Sequence, residues 1–153
     1  MTSNRRQSPP RVRRANARRG VLTVELMLTL PLLLIVFFGI IEYSMLLLGD
    51  QTLTAAAAVG AREATLPNAT HARVVAAVDQ AIADWSIEPY VAVAIEVNGQ
   101  PDSIHPLTTA VTGDQIEVIV TVASTRAAPD LLQFVGYSIT GQTLRASFTL
   151  RKE

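Results

Sequence analysis

Arg18-Arg19-Gly20-Val21-Leu22-Thr23-Val24-Glu25 leads into an apolar run from Leu26 to Leu48, and the reading of that junction decides the fold. The run is 23 residues long and is interrupted by Thr29, Pro31, Gly39, Glu42, Tyr43 and Ser44. A helix rises about 1.5 Å per residue, so about 20 apolar residues cross a hydrocarbon core of about 30 Å. The run meets that length. As the core helix of a soluble domain it would need wrapping on all sides, which a chain this small cannot supply. Pro31 is tolerated in a lipid-embedded helix at the expense of a kink.

Working outward, residues 1–20 hold seven arginines and no acid. Positive flanks stay on the cytoplasmic side, so the expected orientation has the tail inside and everything after Leu48 exported. The chain is formally neutral, yet all 13 acids and only six basic residues follow Gly20, a net charge of −7. An arginine tail directly before a membrane helix reads as a topology signal, and no nucleic-acid partner is expected. Residues 1–17, with Pro9, Pro10 and five arginines, are expected to be unstructured.

Glu25 stands where a membrane segment disfavours charge. In a first helical turn it would favour the helix dipole by about 0.3–1 kcal/mol. It is also the fifth residue after Gly20. A short basic leader, a glycine, four small or apolar residues and a glutamate opening a membrane helix resemble a type IV prepilin signal. Residues 18–65, which run from Arg18 to the alanine-rich stretch Ala55–Ala58 and on to Thr65, look like the TadE-like family of the tight-adherence (Flp) pilus system. The closing Leu144–Glu153 is similar to that family's last strand. The resemblance implies cleavage by a prepilin peptidase between Gly20 and Val21, assembly through Glu25, and other pilin-like subunits as partners. Two departures bear on the role. Leu26 stands where the major Flp pilin has a tyrosine, and the 133 residues after Gly20 far exceed that pilin's length. Both point to a minor, pilin-like component.

Rival readings use the same residues. Arg18-Arg19 could belong to a twin-arginine signal, and Ala55–Ala58 could supply the cleavage site of an ordinary secretory signal. The apolar run exceeds the 7–15 residues of a secretory signal's core and contains Glu42. Glu42 itself reads either as snorkelling to the interface or as pairing with a partner subunit in the membrane. Tyr43 fits an interfacial aromatic.

Beyond the run, Asp50–Ala64 should continue the helix, since Ala55–Ala58 and Ala61 are strong helix formers. Ala56, Gly60 and Ala64 recur every four residues, a stripe that lets another helix approach closely. Leu66-Pro67-Asn68 ends it. Asn68 or Thr70 can cap a second helix, whose apolar face is Val74, Val78, Ile82 and Trp85; the sequon Asn68-Ala69-Thr70 is read as a cap. Three strands follow by period-two alternation: Val91–Val97, Gln115–Val122 and Thr143–Arg151. The intervening Asn98–Asp114 is long for a hairpin connection, hence functional or mobile. Pro129–Gly136 reads as a short helix or turn whose Leu131, Leu132, Phe134 and Val135 cover the core. Trp85 and Phe148 should share that core.

Catalytic and metal chemistry find no support in the pattern. There is no cysteine, and so no disulfide or thiolate cluster. His71 and His105 lack ligand spacing and read as solvated. Asp79 and Asp84 share a helix five residues apart and do not face each other. No nucleophile elbow, phosphate loop or dinucleotide fingerprint occurs.

The expectation is therefore an α+β protein with a single N-terminal transmembrane helix extending into a small domain, in which a second helix packs on a three-stranded antiparallel sheet. Residues 1–20 form a leader, 21–66 the membrane and extended helix, and 67–153 the exported domain. It should sit in a bacterial inner membrane, need no cofactor or metal, and act structurally, not as an enzyme. A pseudopilin of a type II secretion machine and a single-pass anchored domain binding an extracytoplasmic ligand are the alternatives.

Overall fold

The computed structural model describes residues 15–85 and 91–153. Two compact units divide the chain, Met1–Phe37 and Phe38–Glu153. Helix α1, Ala15–Thr65, contributes to both. The expected unstructured tail lies outside the described residues except for Ala15–Ala17, which already belong to α1.

In the first unit the described side chains of α1, from Thr23 on, are almost all exposed, Val24 at 65%, Met27 at 79% and Leu33 at 66% among them. An 18-residue window within Thr23–Thr65 has a mean hydropathy of 2.6, and none of it is buried. A core helix would be covered by its own protein; this one is greasy and bare, as a span in lipid is. Pro31 stands inside the helix without ending it. Thr29 Oγ1 donates to the Glu25 carbonyl at 2.9 Å, so its hydroxyl presents no unsatisfied donor to lipid.

The second unit is built on the C-terminal half of α1. There the exposure turns one-sided: Leu53, Ala56, Ala57, Ala61 and Ala64 are all fully buried. They pack with α2, His71–Ile82, whose Val74, Val78 and Ile82 form the buried face. Thr70 is the cap, with φ −126° and its side chain accepting the Arg73 N–H; Asn68 instead takes φ 59° in the turn before it. The small-residue stripe is thus used within the chain. A Cβ added at Gly60 would lie 2.7 Å from Val78 Cγ2 and 3.1 Å from Val118 Cγ1, closer than real Cβ atoms come to the first.

Both helices lie on an antiparallel sheet of four strands in the order β2-β1-β3-β4: β1 Ala92–Val97, β2 Gln100–Pro101, β3 Gln115–Ala123 and β4 Thr143–Arg151. The three expected strands are present, with Val93 opposite Val120 and Val118 opposite Phe148. The count of three needs correction. Gln100–Pro101 pairs back on β1 through a two-residue turn, Asn98-Gly99, with φ of 53° and 75°. Asn-Gly is the strongest short hairpin signal. Two residues are too few to show alternation, and a proline is confined to such an edge position.

The Asn98–Asp114 connection is also structured. Leu107 is buried in the core at the start of a 3-10 turn, Leu107–Thr109. Asp102 accepts the Leu107 N–H and meets His71 Nδ1 at 3.1 Å, tying the loop to the start of α2. Asn98 Nδ2 donates to Asp114 Oδ1 at 2.9 Å, while the Val111 N–H donates to its other oxygen at 2.8 Å. These bonds, the Asn98 one foremost, hold the Asp114 carboxyl below its ordinary range. A depressed carboxylate contributes stability at pH above its unfolded value, and loses it as pH falls through the folded one. Asn98→Ala should therefore raise the Asp114 pKa toward 3.8, read from its carboxyl carbon shift in an acid titration; an unmoved midpoint would mean that the bond does not hold the charge.

Trp85 and Phe148 both pack against the core, each partly buried and not enclosed. Trp85 covers α1 at Gly49, where an added Cβ would lie 3.0 Å from its ring and 3.2 Å from both Ala127 and Leu144. Gly60→Val should cost about 1–3 kcal/mol by overpacking, seen as a lower urea midpoint for the detergent-solubilised chain. Gly39→Ala, whose Cβ would meet only Leu132 at 3.7 Å, is the control that should not lower the midpoint.

Candidate assembly site on the membrane helix

Gly20 and Val21 lie within α1. Glu25 is one turn further along and exposed, as are Leu26 and Leu28 beside it. Among the described residues no group of three or more His, Cys, Asp and Glu is gathered as a metal site would need. Two shallow clefts among the described residues of the second unit carry little chemistry. One is lined by Asn68, Thr70, Thr108 and Lys152, the other by His71, Val93, Pro101 and Asp102. His71 is half-exposed and His105 is in the Asn98–Asp114 connection. Asp79 and Asp84 sit apart on and after α2, and no bond joins them.

The carboxylate that the fold treats most unusually is Glu42. It is 2% exposed, although it belongs to the apolar run. The snorkelling expectation does not hold, because the side chain is buried and finds its donors within the chain. Its Oε2 accepts two backbone N–H bonds, from Leu131 at 2.8 Å and from Leu132 at 3.0 Å. Two donors converging on one anionic oxygen are charge-assisted bonds, stronger than neutral ones. They satisfy amides that open the 3-10 turn Gln133–Val135.

This segment begins after β3, where α3, Ser124–Ala127, turns the chain. Asp130 Oδ2 accepts from Ser138 Oγ and, at 3.2 Å, from Thr140 Oγ1, which closes the loop on itself. Ile139 is buried at its far end. Along α1 the loop makes three neighbouring contacts. Phe134 meets Phe38 edge-on, with ring centroids 6.1 Å apart; Leu132 rests over Gly39; and Glu42 holds the two amides. Positions 38, 39 and 42 share one helix face. The expected short helix or turn is there, but its side chains need correction. Leu131 and Leu132 are half-buried, while Phe134 and Val135 point outward at 64% and 44% exposure and do not cover the core.

The sequence could not reveal Glu42's partners, because backbone amides 89 and 90 residues away leave no mark in residue type. The one available signal was a glutamate inside a greasy helix, which marks a need for donors without naming them.

Removing the acceptor should cost about 1–3 kcal/mol for the Leu132 N–H left unpaired, whereas the Leu131 N–H keeps the Pro129 carbonyl at 3.0 Å. In Glu42→Ala, amide exchange at Leu132 should quicken at least tenfold, while amides of β3 keep their protection. Glu42→Gln retains an acceptor oxygen and should fall between the two. Unchanged exchange in the alanine variant would show that the carboxylate does not hold the loop.

Among known families, residues 20–62 match the model described as TadE-like protein, so the resemblance read over residues 18–65 is shown for that segment. Searches of curated proteins and of solved structures gave no match.

Proposed function

We propose that this TadE-like chain is a pilin-like structural component of a tight-adherence pilus assembly system, anchored by α1 in the bacterial inner membrane. The observation that carries the reading is the stretch Arg18–Glu25, a prepilin-like junction lying where the family match begins. Its helix is long enough to cross a membrane and is bare of covering protein. The arginine tail stays cytoplasmic and the Phe38–Glu153 unit lies outside. The role is assembly and not catalysis.

In this reading a prepilin peptidase cuts between Gly20 and Val21, and Val21 gains a free α-amine with an ordinary pKa of about 7.7–8.0. That amine lies one helical turn from Glu25, on the same chain or a neighbour's. At about 4 Å and an effective dielectric near 20 the attraction is about 4 kcal/mol before desolvation is subtracted. A neighbour's amine would offset the cost of Glu25 near lipid and set the axial register as subunits join. Glu25 has room for this: it is exposed on α1.

Mass spectrometry of the protein from its native membrane should give an N-terminus at Val21. A native terminus near Ala58 would establish the secretory-signal reading instead, and an intact Met1 the anchored ligand-binding domain. Glu25→Gln should leave insertion and the outer domain intact while lowering pilus assembly and cross-linking to neighbouring subunits; normal assembly would return Glu25 to a dipole-compensating surface residue.

A further inference from the structure

The segment Leu131–Thr140 carries no charged residue. It exposes Phe134 at 64%, Val135 at 44% and Tyr137 at 58%. Such a run facing water would be an apolar patch without purpose. Its position along α1 supplies one. A span of about 20 residues that begins at Leu22, beyond the arginines, ends at Ile41; one that begins at Leu26, beyond Glu25, ends at Met45. In either case Phe38–Glu42 lie within about 10 Å of the hydrocarbon boundary on the domain's side. The loop touches α1 at Phe38, Gly39 and Glu42, so it must sit at that depth too.

We propose that Leu131–Tyr137 is a second membrane contact, a loop inserted into the lipid interface of the leaflet that faces the domain. The proposal rests on α1 spanning the bilayer. Three features fit a lipid surface as the occupant. Non-helical backbone is tolerated at membrane depth only when its polar groups are satisfied by protein, and Glu42 satisfies the two amides that enter the loop. The amides of Val135 and Gly136 bond back to Leu132 and Gln133 within the 3-10 turn. Tyr137 offers an apolar ring with a polar tip, the amphipathic kind enriched at membrane interfaces. The same arrangement accounts for Glu42: the loop lifts its carboxylate out of contact with lipid, and the carboxylate pairs the loop's amides.

The other end of the domain is the natural contrast. Asp102 and Asp114 organise the loop there, and Ile104 is 71% exposed. That loop binds the first turn of α2 at His71, whereas Trp85, past the end of α2, meets α1 at Gly49, closer to Glu42.

The chain has no native cysteine, so single cysteines can carry a bimane probe at Tyr137, Val135, Ile104 and Leu33 in the full chain. The proteins are placed in vesicles of phosphatidylethanolamine and phosphatidylglycerol containing lipids spin-labelled at a shallow or a deep acyl position. Probes at Tyr137 and Val135 should be quenched at least threefold more by the shallow label than the probe at Ile104, independently of protein density. Quenching at both loop sites no greater than at Ile104, with Leu33 quenched by the deep label, would overturn the loop's insertion and leave the span intact. Loop probes shielded from lipid increasingly as protein density rises would overturn it in favour of a subunit contact. An unquenched Leu33 would overturn the span and the proposal with it.

Discussion

Gly60 is where α1, α2 and the sheet meet with nothing between them but hydrogen. A Cβ there would stand 2.7 Å from Val78, and the fully buried Ala56, Ala57, Ala61 and Ala64 extend the same close face. The rest of the structure follows from that approach. Small residues bring α1 near enough for Val74, Val78 and Ile82 of α2 and Val118 and Val120 of β3 to close one core around it. A helix that enters a protein core on one face cannot also be greasy on every face, and α1 changes character accordingly. Bare leucines surround its N-terminal half, and alanines line one side of its C-terminal half. One helix therefore meets two solvents, lipid and its own domain.

Glu42 stands between those regimes. A charge near lipid costs free energy unless it is paired, and two amides are costly unless an acceptor meets them. The fold brings the two liabilities together: Leu131 and Leu132 point their N–H groups at the carboxylate. The domain is thereby held to the membrane helix by polar bonds where the chain is otherwise apolar. Glu25, earlier on α1, is exposed instead.

Much of this was legible in residue order. Length and hydropathy marked α1, spacing of Val74, Val78 and Ile82 marked α2, and alternation marked β1, β3 and β4. Proximity rather than pattern accounts for what was not. The stripe Ala56, Gly60, Ala64 told that something approaches α1 closely, but not that α2 of the same chain does. The edge strand Gln100–Pro101 is too short to alternate, and the hairpin signal Asn98-Gly99 was passed over inside a long connection. Phe134 and Val135 look like core residues by type; their outward direction depends on where Glu42 fastens the loop. Among the candidate residues, Gly20, Val21 and Glu25 stood out because the prepilin signal they resemble is a local pattern. Glu42's role is a long-range contact and was not.

The central claim is that α1 serves as a bare lipid-facing span and then as a one-sided core helix. A spin-label scan of single cysteines from Val24 to Ala64 in bilayers tests it directly. Accessibility to oxygen should be high on all faces from Val24 to about Phe37. From Leu53 to Ala64, with Gly60 left unlabelled, it should instead follow a period of about 3.6 residues, with minima at Leu53, Ala56, Ala57, Ala61 and Ala64. The same one-sided period beginning at Val24, or water-accessible labels around Leu33, would contradict the account.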